Sequence, residues 1–493
     1  MLEPRNQRAI FLASFLTLIA AGMGFGIRGG ILEDWQNQFG FSKTEAGETT
    51  GAALTGFGVM IIFFSLFADR VGYKAMLIGA FALHVLSAVF IFAATPIYEQ
   101  YGKDATFQCI YWGMFIFSLA NGLCEAAINP LVATLYPNQK THYLNILHAG
   151  WPGGLIIGGL VAYAFGGKAA AVMPVRWEIL MALFLIPTFI YGIISLRETF
   201  PRSEASRAGV TFGEMLTQFA SPVLIALLVL HAMVGYVELG TDSWMQDIMK
   251  ASIKEWAPLL FVYTSGVMFI LRFFAGPIVE RTNPLGLLLI SSLIGAVGLY
   301  LFGTSSTAMM IFLAGTIYGV GKTFLWPTML GVVGERFPKG GALTMGVMGG
   351  IGMLSAGLLG GPIIGYEQDY ARAENLRTTD PAVFEQYVNP KEKGLYFLPK
   401  IQSLNGDKIA ALPAKDDQRS PEQEKAFKAI ESSTIAGGKL ALKWTAAVPA
   451  TMAVGYLLLL GYFQLQGGYK PQVLMSPHER GEMLTGGVQG PVE

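Results

Sequence analysis

The sequence predicts an all-α membrane protein of about twelve bilayer-crossing helices in two related halves. Three observations carry that reading. The 493 residues are 53% hydrophobic and only 14% charged, whereas a soluble chain carries roughly 25% charged residues. Mean hydropathy is +0.47, and apolar runs of about 20 residues, each long enough to span, recur along the chain. Matching polar residues also interrupt an apolar run in each half. In SLANGLCEAAINPLVATLYP, Asn121, Glu125 and Asn129 stand four apart, and in GTIYGVGKTFLWPTMLG so do Tyr318, Lys322 and Trp326. Glu125 precedes Pro130 by the same distance that Lys322 precedes Pro327.

Taken in order, the apolar runs place spans near 9–31, 51–68, 75–95, 108–135, 144–166, 179–196, 221–243, 257–279, 285–303, 307–333, 340–365 and 438–464. The basic start and apolar core of MLEPRNQRAIFLASFLTLIAAG mimic a signal peptide. The run continues past Gly26 with no small-residue cleavage site, so it reads as a retained first span. The polar stretch ETFPRSEASRAGVTFGEMLTQFAS divides the spans into six and six. The expected organisation is therefore a six-helix bundle over 1–197, a cytoplasmic linker over 198–220, a second bundle over 221–464 and a cytoplasmic tail over 465–493. Within the second bundle, Tyr366–Gly437 is polar and rich in charge and Pro. It reads as an extracytoplasmic insertion, partly ordered, with some helix in AENLRTTDPAVFEQYV; its functional alternative is a lid over the outer mouth. The Gly- and Pro-rich tail after Gln466 reads as disordered.

Charge placement gives the orientation. With both termini inside, the inner loops hold Arg70, Lys74, Lys140, Arg197, Arg202, Arg207, Arg281, Arg336 and Lys339. The outer loops hold Lys43, Lys103, Lys168, Arg176, Lys250 and Lys254. The inner excess has the sign that places the termini in the cytoplasm of a multi-pass protein of the cell (inner) membrane. Net charge is zero, so no basic tail points to nucleic acid. Cys109 and Cys124 share one predicted helix about 20 Å apart, too far for a disulfide, and read as small apolar fillers. No catalytic triad, metal cluster or cofactor loop appears, so neither an enzyme nor a cofactor is expected. GVGKT lacks the earlier Gly and the strand of a phosphate loop and lies in an apolar helix.

The polar residues inside spans carry the chemistry. A spacing of four puts Asn121, Glu125 and Asn129 on one helix face. A charge meeting lipid at mid-span costs about 3 kcal/mol or more, so Glu125 and Lys322 should face protein or a water-filled cavity. His231, Gly235, Glu238 and Asp242 share a face of the seventh span, and His148 and Trp151 share one of the fifth. Trp151, Trp326, Tyr318, Asn121 and Asn129 form a set suited to sugars, whose C–H faces stack on aromatic rings and whose hydroxyls bridge amides and carboxylates. Each aromatic would equally serve helix packing, each histidine a packing hydrogen bond, and Glu125 with Lys322 a structural ion pair. Arg272 in the eighth span is either a cavity cation or a side chain reaching an interface.

Short motifs add a resemblance. In LFADRVGYKAML, Asp69, Arg70, Gly72 and Lys74 resemble the loop after the second helix of the major facilitator superfamily, G-x-x-x-D-R-x-G-R-K, with Ser65 and Tyr73 as departures. AGPIVERTNPLG, with Gly276, Glu280 and Arg281, is a degenerate copy in the second half. A carboxylate facing a helix N-terminus beside a cation makes a breakable inner latch. Within that superfamily the chain resembles the fucose–proton symporters and their sodium–glucose relatives. GLCEAAINP is similar to G-x-x-E-x-A-x-N-P, and LNILHAGWPGGLIIGG to a family L-N followed by a Gly-rich helix. VGYVELGTDSW is similar to V-G-x-E-x-x-x-x-x-W, with one extra residue before the acid.

The resemblance implies the major facilitator fold and alternating access around a midplane site. It makes Glu125 the protonation site and Asn129 a substrate-helix residue, and sets Glu238 and Trp244 in the seventh span. In that fold, spans 1, 4, 7 and 10 line the cavity, so Arg28, Glu125, Glu238 and Lys322 are expected at the centre, with Asp242 nearer the outer end. Arg28 stands near where fucose-type porters carry an acid. The expected function is uptake of a small carbohydrate by a monomer in the lipid bilayer, driven by a proton or sodium gradient. One alternative is a carrier of a small organic anion such as a sugar acid, held by Arg28 and Lys322. Another is a non-transporting membrane sensor.

Overall fold

The structure is a computed structural model that describes residues 4–41, 43–167, 170–253, 256–413, 418–472 and 474. Lys168, Lys254, the side chain of Lys43 and the tail beyond 474 lie outside the described residues. Backbone groups in hydrocarbon must be satisfied within their own segment, which makes apolar runs helical. Among the described residues the regular structure is helical apart from two isolated bridges, Val388–Leu404 and Lys393–Ile401.

The first half holds α1 (Pro4–Phe39), α2 (Lys43–Ser65), α3 (Tyr73–Phe92), α4 (Ala94–Leu135), α5 (Lys140–Phe165) and α6 (Trp177–Arg197). The second holds α7 (Pro222–Lys250), α8 (Ala257–Arg272), α9 (Ala275–Thr304), α10 (Ala308–Arg336), α11 (Pro338–Thr379) and α12 (Pro421–Leu465). Ten of the described helices are long and apolar enough to span; Ala257–Arg272 and the Gly56–Ser65 part of α2 are shorter apolar helices. Two long helices hide a turn. Gly102, with φ 78°, breaks α4 before its apolar part, and Asn283, with φ 58°, breaks α9. Gly supplies the first positive φ without a Cβ clash; at the second, the Asn283 side chain accepts from the Gly286 N–H at 3.0 Å.

Within the first half α1 packs on α5 and α6, and α4 on α2 and α3; within the second, α9 packs on α10 and α12, and α7 on α11. The halves meet through α2 with α11, α4 with α11, and α5 with α8 and α10. Glycine sets the closest approaches, as small residues do between membrane helices. A Cβ on Gly154 of α5 would lie 2.4 Å from the Ile19 carbonyl of α1, and one on Gly235 of α7 would lie 1.9 Å from the Gly352 carbonyl of α11. Beyond these contacts α7 and α11 each open into a π-helical turn, Tyr236–Gly240 and Ala356–Gly360. The two turns pack on one another at Gly240 and Gly360.

The segment expected as a partly ordered polar insertion is largely helical in AENLRTTDPAVFEQYV, where some helix was expected, and the helices reach further than the hydropathy suggested. Helix α11 runs on to Thr379 and α12 begins at Pro421, so both continue past their apolar parts. A short helix, Pro381–Tyr387, caps them. Ala373, Leu376, Val383, Phe384, Tyr387, Ala426 and Ile430 form a small core there. Spacing these apolar residues around helices rather than in one run hid them from a hydropathy reading. The tail differs too: Tyr469 donates to Glu335 Oε2 at 2.8 Å, and the Gln472 N–H donates to the Glu335 carbonyl at 2.7 Å.

Candidate functional site

Polar side chains from α1, α4, α5, α7, α8 and α10 converge in the middle of the helix assembly. Arg28, Asn121, Glu125, Asn129, His148, His231, Glu238, Arg272 and Lys322 are all buried, and burial of charge demands partners. On α4, Glu125 Oε2 accepts from Asn129 Nδ2 at 2.6 Å, and Asn129 Oδ1 accepts from His148 Nε2 of α5 at 2.9 Å. The His148 carbonyl in turn accepts from Arg272 Nη1 of α8 at 2.6 Å. Arg272 also donates to the Thr323 carbonyl of α10 at 2.8 Å and to Glu238 Oε1 of α7 at 3.0 Å. A continuous path of hydrogen bonds and main chain therefore runs from Glu125 in the first half to Glu238 in the second.

Lys322 takes a different partner from the one its spacing suggested. The expected alternative of a Glu125–Lys322 pair is not what forms: Lys322 Nζ donates to both oxygens of Asp242 at 2.6 Å and lies 5.0 Å from the Tyr318 ring centroid. Tyr318 ties α10 to the π turn of α7 through the Val237 carbonyl at 2.8 Å. Glu238 and Asp242, expected to share a face of the seventh span, take partners on different helices. Glu238 answers Arg272 on α8 and Asp242 answers Lys322 on α10. Arg272, left open between cavity and interface, is wholly inside.

Three groups form no salt bridge within 4 Å among the described residues. Arg28 stacks over Phe25 at 4.3 Å, while its Nη1 makes no hydrogen bond. Neither ring nitrogen of His231 is bonded, although its ring lies 4.6 Å from that of Trp326. Glu125 hydrogen-bonds only the Asn129 amide, with Arg272 acting on it through space beyond salt-bridge distance. Trp151 is half-buried against Phe25, ring centroids 5.1 Å apart. Asn121 departs from its neighbours on α4: its Oδ1 accepts from His84 Nε2 of α3 at 3.0 Å, and His84 Nδ1 meets Tyr191 of α6 at 2.8 Å. His84 and Tyr191 were not singled out by sequence, because each is an isolated polar group in an apolar run.

A second cluster closes the end that carries the loops after α2, α4, α6 and α10, here called the inner end. Asp69 sits beside the Ala342 N–H at the start of the long helical part of α11 and beside Ser203 of the linker. Its burial raises its carboxyl above the ordinary aspartate value. Gly72, with φ 84°, turns the chain there. Lys74 donates to the Leu196 and Glu198 carbonyls at 3.0 and 2.9 Å, and Arg70 lies 5.5 Å from the Phe212 ring. In the degenerate copy the acid Glu280 is exposed, unlike the partly buried Asp69, while the cations Arg281 and Arg70 are both exposed. The residues that sequence reading missed are on α5. Lys140 pairs with Glu204 at 2.6 Å and donates to the Gly334 carbonyl at 3.1 Å. Thr141 donates to Glu335 Oε1 at 2.5 Å, Asn145 to Thr328 at 3.2 Å, and His142 Nδ1 accepts from the Gly276 N–H at 3.0 Å. Beside the Asp69 contact with α11, hydrogen bonds of α5 thus join the halves from the inner end up to His148.

The family model of the Major Facilitator Superfamily matches residues 14–361. No curated protein matches the sequence. Among solved structures, the chain is similar to the E. coli fucose:proton symporter FucP, at 16% identity and TM-score 0.60, over 91% of this chain and 98% of that one. It is similar to the proton:xylose symporter XylE bound to 6-bromo-6-deoxy-D-glucose, at 15% identity and TM-score 0.62, over 74% of this chain and 90% of that one. It is also similar to the human organic anion transporter MFSD10, at 11% identity and TM-score 0.60, over 92% and 100%. At these identities the likeness concerns the fold, and the neighbours' cargoes differ. The matched segment spans more than half of the sequence, from the first helix into the eleventh. The chain belongs to the Major Facilitator Superfamily.

Proposed function

We propose that the chain is a proton-coupled secondary transporter of a small, neutral carbohydrate, and that Glu125 is the coupling carboxylate. The observation that carries this is the distribution of countercharge. Of the three carboxylates at the centre, Glu238 has Arg272 and Asp242 has Lys322 within salt-bridge distance, while Glu125 bonds an amide and feels Arg272 only from beyond that distance. A proton is the positive charge that Asn129 cannot supply, and it can arrive and leave without breaking an ion pair. The same pairing disfavours the anion reading, in which Lys322 and Arg28 hold a carboxylate, because Lys322 is already committed to Asp242. Arg28, Asn129, His148, Trp151, His231, Tyr318 and Trp326 are the residues proposed to meet substrate, since amides and ring faces suit hydroxyls and C–H surfaces. Asn121 is proposed to act on them through the α4 backbone.

In this reading twelve crossings form two six-helix bundles, 1–197 and 221–464, joined by a cytoplasmic linker, with both termini cytoplasmic. The inner contacts of α5 and the Asp69 latch support a state closed to the cytoplasm. Transport then requires those bonds to break as the bundles rock around the bound substrate. The test is uptake into proteoliposomes of neutral sugars and sugar acids, with and without imposed pH or sodium gradients. A pH gradient should drive accumulation of a neutral sugar, and Glu125→Gln should lose that accumulation while keeping counterflow exchange. Concentrative uptake of normal size by the variant rules out Glu125 as the coupling site. Uptake of sugar acids only, with no response to neutral sugars, would favour the anion carrier through the unpartnered Arg28.

A further inference from the structure

The outer cap carries a small hairpin that the transport reading does not use. Between the short helix Pro381–Tyr387 and the start of α12, the chain folds back on itself through the bridges Val388–Leu404 and Lys393–Ile401. The tip between them is Gly394–Lys400, GLYFLPK. Phe397 is 84% exposed and Tyr396 59% exposed at this tip. Two aromatic side chains presented to water on a polar cap are costly unless something covers them.

Two hydrogen bonds fix where the tip lies. Tyr366 of α11 donates to the Pro399 carbonyl at 2.9 Å, and Tyr396 donates to the Leu358 carbonyl at 2.5 Å. The hairpin therefore descends along α11 from Tyr366 toward its apolar part, with the aromatic tip lower than its base. Leu358 stands seventeen residues after Gly341, where the long helical part of α11 begins. At 1.5 Å per residue this is about 26 Å from the inner end of α11, against a hydrocarbon thickness of about 30 Å. Leu358 and Leu359 are themselves exposed on the outer surface of α11. The tip thus reaches the depth where hydrocarbon gives way to headgroups, the level at which amphipathic rings concentrate. Tyr396 adopts φ 50° there, a backbone setting that a bulky residue rarely takes. Lys391, Lys393 and Lys400 flank the tip on the polar side, all exposed, against Glu392 in the hairpin and Asp369 of α11, which interacts with Lys393.

We propose that Gly394–Lys400 is an interfacial membrane anchor, in which Tyr396 and Phe397 insert at the acyl–glycerol boundary of the outer leaflet and the flanking lysines bind the phosphates of anionic lipids. The anchor holds the cap, and with it the outer ends of α11 and α12, at a fixed height above the bilayer. The inference needs only that the chain spans a membrane; it is independent of substrate and coupling ion. Charge selects the occupant: apolar tip and basic flank together match a phospholipid, whereas a second copy of this chain would have to present acids around an apolar patch.

The test uses the full chain in lipid nanodiscs. An environment-sensitive dye is attached at Phe397→Cys and, as a control elsewhere on the cap, at the exposed Glu385→Cys; Cys109 and Cys124 are buried. In discs containing one copy, the dye at 397 should be blue-shifted. Lipids carrying a nitroxide near the glycerol should quench it several times more strongly than lipids carrying one at the chain end. The dye at 385 should respond to neither. Adding phosphatidylglycerol to phosphatidylcholine discs should deepen the quenching at 397, and replacing all three lysines with Gln should remove that increment. In the unmodified chain, amides of residues 394–398 should exchange hydrogen more slowly in the discs containing phosphatidylglycerol. Equal behaviour at 397 and 385 overturns the anchor. Shielding that appears only when a disc holds two copies assigns the tip to an intermolecular contact and also overturns it. A lysine-free variant with an unchanged response to phosphatidylglycerol overturns the headgroup part.

Discussion

Lys322 and Asp242 provide the sharpest quantitative expectation. Lys322 is wholly buried and donates to both oxygens of Asp242, whose side chain is 15% exposed. Removing one member of a buried pair strands the other charge, which costs about 3–5 kcal/mol. Removing both with residues of similar volume is often close to neutral. Lys322→Met and Asp242→Asn should therefore each destabilise the protein strongly, Asp242→Asn more so because it strands the ammonium in the less exposed position. The double variant should recover most of the loss, giving a coupling of at least about 2 kcal/mol, well beyond the 0.3–0.5 kcal/mol within which independent sites add, roughly. Unfolding in mixed micelles of dodecyl sulfate and a mild detergent, followed by tryptophan fluorescence, measures all three variants against the wild type. If the two single losses simply sum in the double variant, the pair is not a coupled unit and the partition of charges described above is wrong.

Further expectations follow from the inner end, the helix contacts and the cap. Thr141→Val removes the hydrogen bond to Glu335, worth about 1.5 kcal/mol for a charged acceptor, so the closed-to-open ratio at the inner end should fall about tenfold; distances between spin labels at 70 and 339 should lengthen correspondingly. Gly235→Ala drives a methyl into the Gly352 carbonyl and should cost at least about 1–3 kcal/mol, whereas Gly266→Ala, with nothing within 4 Å of the added carbon, should leave thermal stability intact. At the cap, the hydrogen bond from Lys425 and that from the Val383 N–H hold the Asp380 carboxyl below its ordinary value. A depressed acid stabilises the folded form above its unfolded value of 3.8 and loses that effect as pH falls through the lower folded value. Hydrogen exchange in 381–387 should therefore accelerate on acidification below that ordinary value, and Asp380→Asn should flatten the response.

The helix layout was legible because hydrocarbon leaves the backbone little choice. Apolar runs mark α3, α5, α6 and the part of α9 after Asn283 to within a few residues. They fail where a helix runs on through polar sequence: α11 and α12 continue outward because a small core at Leu376, Phe384 and Ile430 supports them. In the candidate site, the four-residue spacing identified Glu125 and Asn129 as neighbours, and they do bond. Spacing says nothing about partners on other helices: it offers Glu125 with Lys322 only as one alternative, does not reveal Asp242 as the partner, and leaves Arg272 undecided. One sequence oddity has a structural counterpart. The extra residue in VGYVE before the acid falls where α7 widens into the π turn Tyr236–Gly240, and a one-residue insertion is what such a turn absorbs. Without it Glu238 would be rotated by one position, roughly 100°, away from the direction that meets Arg272.

The charge left open at Glu125 is the centre of the account, and proton movement reads it directly. In proteoliposomes holding a pH-sensitive dye and no imposed pH gradient, an inward gradient of the transported sugar should drag protons inward and acidify the lumen. Glu125→Gln should exchange labelled sugar at a comparable rate and leave the lumen pH unchanged. Sugar-driven acidification of wild-type size in Glu125→Gln would place the proton elsewhere and contradict the account.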